Sequence, residues 1–506
     1  MLEEKFIFYL KLKYNYYNIM ENSYSYKYSE INSDFIINTV ERKIKILTAK
    51  CTCDKIGVMI IGIAGNNGST LTAGILGYQK KLNWEDKNGI HEIDFLGSLY
   101  QYGSTNVAFY KDGKPYSKLL RNIMNMKKID DLIIGGWDII SSNLYQSCKN
   151  NKILDIDLLK KLKKDLENIQ PLPGVFYKDF IASNQTSKVN NTKINKNNKW
   201  NDVLSVINDI ENFKKRNNLK NIIVIWSGST EKMNCCDKFE KYEDLISTIK
   251  NDIDNIIPPS IIYTVGAIMT KSIFVNTSPQ NTIVSSLHDF AKEYKTFIVG
   301  NDLKTGQTKL KSVLSDYLAS SGIKPLSIVS YNHLGNNDGL NLKESNQFRS
   351  KEITKRGVID DIIDENKELF KDEKPDHEIV IKYVQAVGDS KRAIDEYYSE
   401  LFLKGKNILS IYNLCEDTLL AVPILLDIIM FTELFSRITF ELENKEIVSF
   451  STNLSLLSFF FKSPETGKNK EYIYNAFFKQ RYALDNFIKI CSGIPVNDFI
   501  NLQYRI

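Results

Sequence analysis

The chain has 506 residues, enough for two or three domains, and its 43% apolar and 25% charged content is that of a globular protein. Lys and Arg number 66 against 61 Asp and Glu, a scattered excess of +5 that gives no basis for nucleic-acid binding but leaves room for lysine clusters around a small anion. Seven cysteines, with Cys51 and Cys53 as C-x-C and Cys235 beside Cys236, form no zinc spacing with the four histidines, so free thiols are expected and a metal is not.

Residues 1 to 50 are rich in Tyr, Asn and Lys and weakly periodic, which suits a strand-and-loop extension packed on the core. Early acids and lysines inside MLEEKFIFYLKLKYNYY argue against a secretory signal, and a cytosolic protein is expected. Next comes KIGVMIIGIAGNNGSTLTAGILG, Lys55 to Gly77. Its apolar run Ile56 to Ile63 reads as a strand buried on both faces. Gly62, Gly65 and Gly68 end that strand, and Ser69 and Thr70 stand where a helix N-cap is expected. Glycines let backbone approach a pyrophosphate, and the amides of a following helix hold its charge. Ala64 occupies the place of the second glycine in the usual dinucleotide fingerprint.

Further along, Ile93 to Leu99 reads as a possible strand, and DDLIIGGWDI, Asp130 to Ile139, as another that ends in glycines and an acid. Asp138 there suits either a ribose hydroxyl or the cap of a following helix. KKLKK, Lys160 to Lys164, suits a solvated helix face, and the Asn/Lys-rich Ser187 to Trp200 a loop that orders over a ligand. Buried strands are then expected at Ile222, Ile273, Thr296, Leu326, Glu378 and Ile408, each leading to a polar cluster; the one from Leu326 leads to a loop and the one from Glu378 to a helix. Polar clusters at strand carboxyl ends are where open parallel sheets place ligands, although the later strands also suit a second sheet. Leu419 to Phe435, interrupted by Pro423, Asp427 and Glu433, reads as a buried helix and not a membrane span.

Three loops carry the chemistry. Thr305, Gly306 and Gln307 open a helix and form an anion site. Asn332, Asn336, Asn337 and Asp338 suit sugar hydroxyls, or equally the turn-forming role of Asn and Asp. Lys351 and Lys355, four apart, share a helix face; alone such a pair is usually solvated, but partial burial would lower a lysine's pKa and fit it for proton transfer.

The strings GIAGNNGSTLTAG, GGWDI, SPQNT, GQTKLKSVL, SIVSYNHLGNNDG, FRSKEI, DSKRA and CEDTLLA resemble those of the eukaryotic inositol-3-phosphate synthase family, also called myo-inositol-1-phosphate synthase, from about Lys55 to the C-terminus. The resemblance implies an α/β fold: a Rossmann-type doubly wound NAD-binding domain with an inserted α+β catalytic and tetramerisation sheet domain. It divides the chain into a 1–50 extension, 51–308 for NAD, 309–415 inserted, and 416–506 completing the NAD domain and active site. It further implies a cytoplasmic homotetramer that isomerises glucose 6-phosphate to inositol 3-phosphate with NAD, by oxidation at carbon 5, enolisation at carbon 6, aldol closure and reduction. Inositol and phospholipid biosynthesis would use the product.

Residue by residue, the resemblance puts Gly65, Asn66, Asn67 and Gly68 at the pyrophosphate, Asp138 on the adenosine side, and Val175, Gln185, Ser227, Gly228, Ser229 and Thr230 at further NAD contacts. Asn337, Asp338, Asp389 and Thr418 fall at the nicotinamide end. Lys351, Lys391, Lys479, Asp302 and Asp417 are the expected catalytic residues, with Lys351 as proton shuttle for the carbon 5 oxygen and Lys391 and Lys479 around the cyclising oxygens. Thr305, Gly306, Asn332, Asn336 and Lys355 would bind the substrate, Lys355 with Thr305 and Gly306 at its phosphate. Ala64, Thr277 and Lys188 depart from the family's residues, and Lys for Arg at 188 gives up a bidentate fork. A sugar-phosphate dehydrogenase releasing NADH and an inactive NAD-binding scaffold are the alternatives.

Overall fold

The computed structural model describes residues 19–31, 37–51, 54–110, 112, 114–193, 198–251, 256–371, 373–450, 454–462 and 472–496. The stretch MLEEKFIFYLKLKYNYY apart from its neighbours at Ile19 onward, Cys53, and positions 194–197 of the Asn/Lys-rich loop lie outside these.

Strands β1 (Ile19–Ile31) and β2 (Ile37–Ala49) form a long antiparallel hairpin ahead of the glycine segment. Strand β3 (Ile56–Ile61) is buried throughout and leads through Gly62 into helix α1 (Asn66–Gln79). Ile56, Val58 and Ile60 enter one hydrophobic core and Met59 and Ile61 another, so the unbroken apolar run serves both faces of one sheet. That sheet continues through β4 (Leu132–Asp138) and a short strand Leu172–Pro173; helix α2 (Lys199–Asn217) then leads to β5 (Asn221–Trp226). Helix α3 (Pro259–Met269), β6 (Ile273–Asn276) and β7 (Ile298–Gly300) complete it. The spatial order is β7-β6-β5-β3-β4-Leu172, all parallel, the doubly wound order with its topological switch between β3 and β5.

Helix α4 (Gly306–Ser320) then crosses to a second, mixed sheet. Its strands are β8 (Lys324–Leu334), β9 (Asp376–Tyr383), β10 (Ser390–Glu400) and β11 (Lys406–Glu416), in the order β9-β8-β10-β11. Helix α5 (Ser345–Arg356) lies between β8 and β9 in sequence. Helix α6 (Asp417–Ser436) returns the chain to the first sheet, packing against α1. By length and hydropathy α6 passes for a membrane span, but it is largely buried inside the protein. Its acids have local uses: Asp427 accepts from Ser98 Oγ at 2.5 Å and from the amides of Leu99 and Tyr100 at 2.7 and 2.8 Å, while Glu433 pairs with Arg437 at 2.9 Å. Strand β12 (Ile438–Glu441) joins β2, and helix α7 (Phe477–Cys491) closes the described chain.

Four expectations are corrected. Ser69 and Thr70 do not cap α1; the cap is Gly65, and Ser69 Oγ and Thr72 Oγ1 bond back to carbonyls of the preceding turn. Ile93 to Leu99 is not a strand, because Ser98 caps the short helix Leu99–Tyr102 against Asp427. SIVSYNHLGNND leads to a short helix, Asn337–Asn341, capped by the Asn336 side chain, and not to a loop. The run from Glu378 to Arg392 is broken by a turn at Gln385–Val387 and by Gly388 at φ +56, so it supplies two strands and no helix.

At the switch point the loops after β3 and β5 touch. Gly62 sits at φ +86, and a Cβ there would fall 2.7 Å from Gly228 Cα. Gly62→Ala should therefore lower stability by about 2–4 kcal/mol, from left-handed strain plus overpacking, as read from denaturant unfolding.

Candidate active site

A cavity of about 880 Å³ opens where the carboxyl ends of the parallel strands meet the mixed sheet. One end is the glycine turn. Gly65, Asn66 and Asn67 line it at the start of α1, where helix amides face outward. Gly68 is set behind them, and its missing side chain lets α1 lie on Ile63, whose Cα is 2.7 Å from where a Cβ would be. Asp138, at the end of β4, is buried and braces the turn: its carboxylate accepts from Ala64 N at 2.8 Å and Ile140 N at 3.0 Å. Burial raises its pKa to about 6 despite those amides. No helix is capped by it.

Val175, Gln185, Ser227, Gly228, Ser229 and Thr230 line the middle of the cavity. Val175 N donates to Tyr263 OH at 2.9 Å, and Gln185 Nε2 to Asn184 Oδ1 at 2.7 Å. Ser227 Oγ and Trp226 Nε1 are buried at this wall with no hydrogen-bond partner among the described residues. A glycine cradle, outward helix amides and orphaned polar atoms fit a dinucleotide, with Gly65 to Asn67 at its pyrophosphate. Asp389 ties the two sheets together at this point, accepting from Asn66 Nδ2 at 3.4 Å, Asn336 Nδ2 at 2.9 Å, Thr418 N at 2.8 Å and Thr418 Oγ1 at 2.9 Å. Its carboxylate is thus occupied by protein donors. Asn337 Oδ1 accepts from Lys188 Nζ at 2.6 Å.

The other end holds lysines and aspartates. Asp302, following β7, accepts from Lys351 Nζ at 3.0 and 3.2 Å and from Lys462 Nζ. Burial alone would raise the pKa of Asp302; the two ammonium groups outweigh it and hold the acid at about 2. Burial likewise pulls on Lys351, but Asp302 and Asp338, the latter at 3.6 Å, leave it above the ordinary lysine value. Lys391 is treated the same way by Asp417 at 3.1 Å. Lys462 is not: burial brings it down to about 8, with Asp302 only partly offsetting and Lys351 and Lys391 adding to the fall.

Lys355 lies one turn along α5 from Lys351, buried behind the cavity wall with Asn332; Gly306 is half-buried and does not line the cavity, while Thr305 reaches the wall itself. Burial, then the charges of Lys391, Lys462, Lys311 and Lys351, drives its pKa far down. The pair Lys351 and Lys355 is therefore an inward face and not a solvated one.

Lys479 does not belong to this group. Its side chain is 46% exposed on α7 and pairs with Glu365, because the neighbouring Gln480 takes the inward direction and accepts from Lys304 Nζ at 2.8 Å. Lys462 stands in the cavity instead, a residue that sequence reasoning missed. Its one signal was position: a lysine directly after Phe459, Phe460 and Phe461, all buried, is carried inward by them. Among the described residues no group of three or more His, Cys, Asp or Glu is placed to hold a metal.

The family description "Myo-inositol-1-phosphate synthase", of an NAD-binding family, matches residues 56–489. Curated relatives include the inositol-3-phosphate synthase of Dictyostelium discoideum, 40% identical over 95% of this chain and 94% of that one, and that of Saccharomyces cerevisiae, 40% identical over 90% and 88%. The crystal structure of inositol-3-phosphate synthase from Caenorhabditis elegans superposes with a TM-score of 0.92 at 37% identity, covering 97% of this chain and 96% of that one. With its doubly wound sheet, glycine turn and match over most of its length, the chain belongs to the NAD-binding myo-inositol-1-phosphate synthase family.

Proposed function

We propose that Lys351, Lys391 and Lys462 manage the protons of the inositol-3-phosphate synthase reaction in this cavity, on glucose 6-phosphate. The chain is an inositol-3-phosphate synthase, an isomerase. The observation that carries the site assignment is Asp302, held between Lys351 and Lys462 in the same cavity as the glycine turn. Gly65, Asn66, Asn67, Ser227 to Thr230, Asn337 and Thr418 would hold NAD, with Asp138 and Asp389 bracing them. Bound NAD supplies reversible hydride transfer at carbon 5, which leaves no net redox change.

Lys351, pinned by two carboxylates, stays an ammonium and would stabilise negative charge developing on the carbon 5 oxygen. Lys462, with the softer hold on its proton, suits the proton transfer at that end better than Lys351 does. Lys391 with Asp417 would face the aldehyde oxygen during ring closure. Thr305, the amides opening α4, and Lys355 behind them suit the phosphate, with Asn332 positioning this end by accepting from Lys355 Nζ at 3.4 Å, while Asn336 is engaged at the dinucleotide wall, donating to Asp389.

A homotetramer is part of the same proposal. Tyr331, Ile394, Tyr412, Leu414 and Ile408 are exposed on the outer face of the mixed sheet, with Tyr331, Ile394 and Tyr412 in one cross-strand row, an apolar surface suited to a second copy. A cytoplasmic setting is proposed from the six free thiols among the described residues, and inositol phospholipids as the product's use.

Purified protein with glucose 6-phosphate and NAD should form inositol phosphate without accumulating NADH; stoichiometric NADH would instead mark a dehydrogenase. Lys462→Ala should cut turnover by about 10²–10⁴-fold. Lys479→Ala should stay within about twofold of wild type, since an exposed ion pair contributes little. The amine form of Lys462 grows as pH rises through about 8, so kcat/KM should climb through a limb there, and Lys462→Arg, which keeps its proton, should abolish the limb.

A further inference from the structure

Lys355 differs from Lys351, Lys391 and Lys462 in that no carboxylate contacts it among the described residues. Its Nζ donates to two amide oxygens, Gln307 Oε1 at 3.1 Å and Asn332 Oδ1 at 3.4 Å. Neither amide is free to turn. Asn332 Nδ2 donates to Val380 O at 3.2 Å, and Gln307 Nε2 to Asp395 Oδ1 at 2.6 Å. Asp395 is buried on the inner face of β10, four residues beyond Lys391, and its other oxygen accepts from Tyr397 OH at 3.4 Å. A carboxylate only accepts and an ammonium only donates, so a primary amide between them has one orientation that satisfies both.

We infer that Asp395 is a positioning residue: it locks the Gln307 amide with its oxygen toward Lys355 and so favours the ammonium form of that lysine at the phosphate end of the site. This rests on the reading that Lys355 serves the substrate's phosphate. The groups facing Lys355 otherwise oppose its charge. Lys391 on β10, Lys462 after the aromatic run, Lys311 on α4 and Lys351 on its own helix all push it toward the neutral amine. His377 on β9 meets Lys311 at 2.8 Å and is itself held uncharged, by burial first and then by Lys311. Asp302, Asp338 and Asp417 are taken up by the other lysines. The Gln307 amide is thus the route by which an acid supports Lys355.

In Asp395→Asn the amide can turn its NH₂ toward Lys355, which then holds its proton less firmly. KM for glucose 6-phosphate should rise about tenfold, and the upturn of KM at alkaline pH should move to lower pH, with NAD affinity and melting temperature near wild type. The exchanged pair Gln307→Glu with Asp395→Asn reverses donor and acceptor and sets a carboxylate oxygen against Lys355; its alkaline upturn should move above that of wild type. Opposite displacements support the inference. A wild-type profile in Asp395→Asn, or displacement of both variants in one direction, overturns it, and if Asp395→Asn does not fold, an unchanged upturn in the exchanged pair does so. Lys355→Met separates the two readings: an unchanged KM overturns the phosphate role of Lys355, whereas a raised KM beside a wild-type Asp395→Asn overturns only the role of Asp395.

Discussion

The carboxylate of Asp302 is shared by Lys351 and Lys462, and the site is assembled around that contact. Three parts of the chain far apart in sequence meet there: the end of the last parallel strand, the inward face of α5, and the segment after the aromatic run. Backbone bonds hold the same junction, with Lys462 N donating to Asp302 O at 2.9 Å and Lys304 N to Phe460 O at 2.8 Å. Buried ion clusters are a poor source of stability, because desolvating each charge offsets most of the attraction. This cluster is therefore better explained by chemistry: it fixes two ammonium groups on one carboxylate and gives them unequal holds on their protons.

Much of the nucleotide half was legible in the sequence. An apolar run of strand length, ended by glycines at the entry to a helix, can be satisfied by few structures, and β3 takes the one expected. Lys351 and Lys355 were legible as a pair because four residues is a helical repeat. Lys462 was not legible, since its burial is decided by how Phe459 to Phe461 pack against α6 and not by any local pattern. Lys479 was misassigned for the converse reason: on a helix, adjacent side chains diverge by roughly 100°, and the inward direction there goes to Gln480. The failed expectations at Ser69 and at Ile93 to Leu99 have a common cause, hydroxyls and amides that found partners closer than the ones local propensity suggested.

The three residues that the sequence resemblance marks as departures from the family pattern have internal uses. Ala64 is buried and lends its amide to Asp138. Thr277 Oγ1 donates to Trp226 O at 2.6 Å, so the added hydroxyl is spent on the neighbouring strand end. Lys188 keeps a cation at the cavity wall and anchors Asn337 with one bond where a guanidinium would offer a fork. Each change alters the lining while leaving the glycine turn and the lysines in place, which is the pattern expected if the cofactor's position is held by backbone more than by side chains.

Two kinds of surroundings for lysine coexist within one cluster. Lys351 and Lys391 are matched with carboxylates, which holds them charged; Lys355 is matched with amide oxygens alone, which leaves its charge dependent on what else is bound. A phosphorylated substrate brings negative charge of its own, so a lysine without a carboxylate is the one whose ammonium form gains most when that substrate arrives. Carboxylates placed against every lysine would cancel that gain and repel the phosphate. With Asp395 one amide away from Lys355, the proposed arrangement would supply orientation and a remote negative charge without setting a competing anion at the proposed phosphate position.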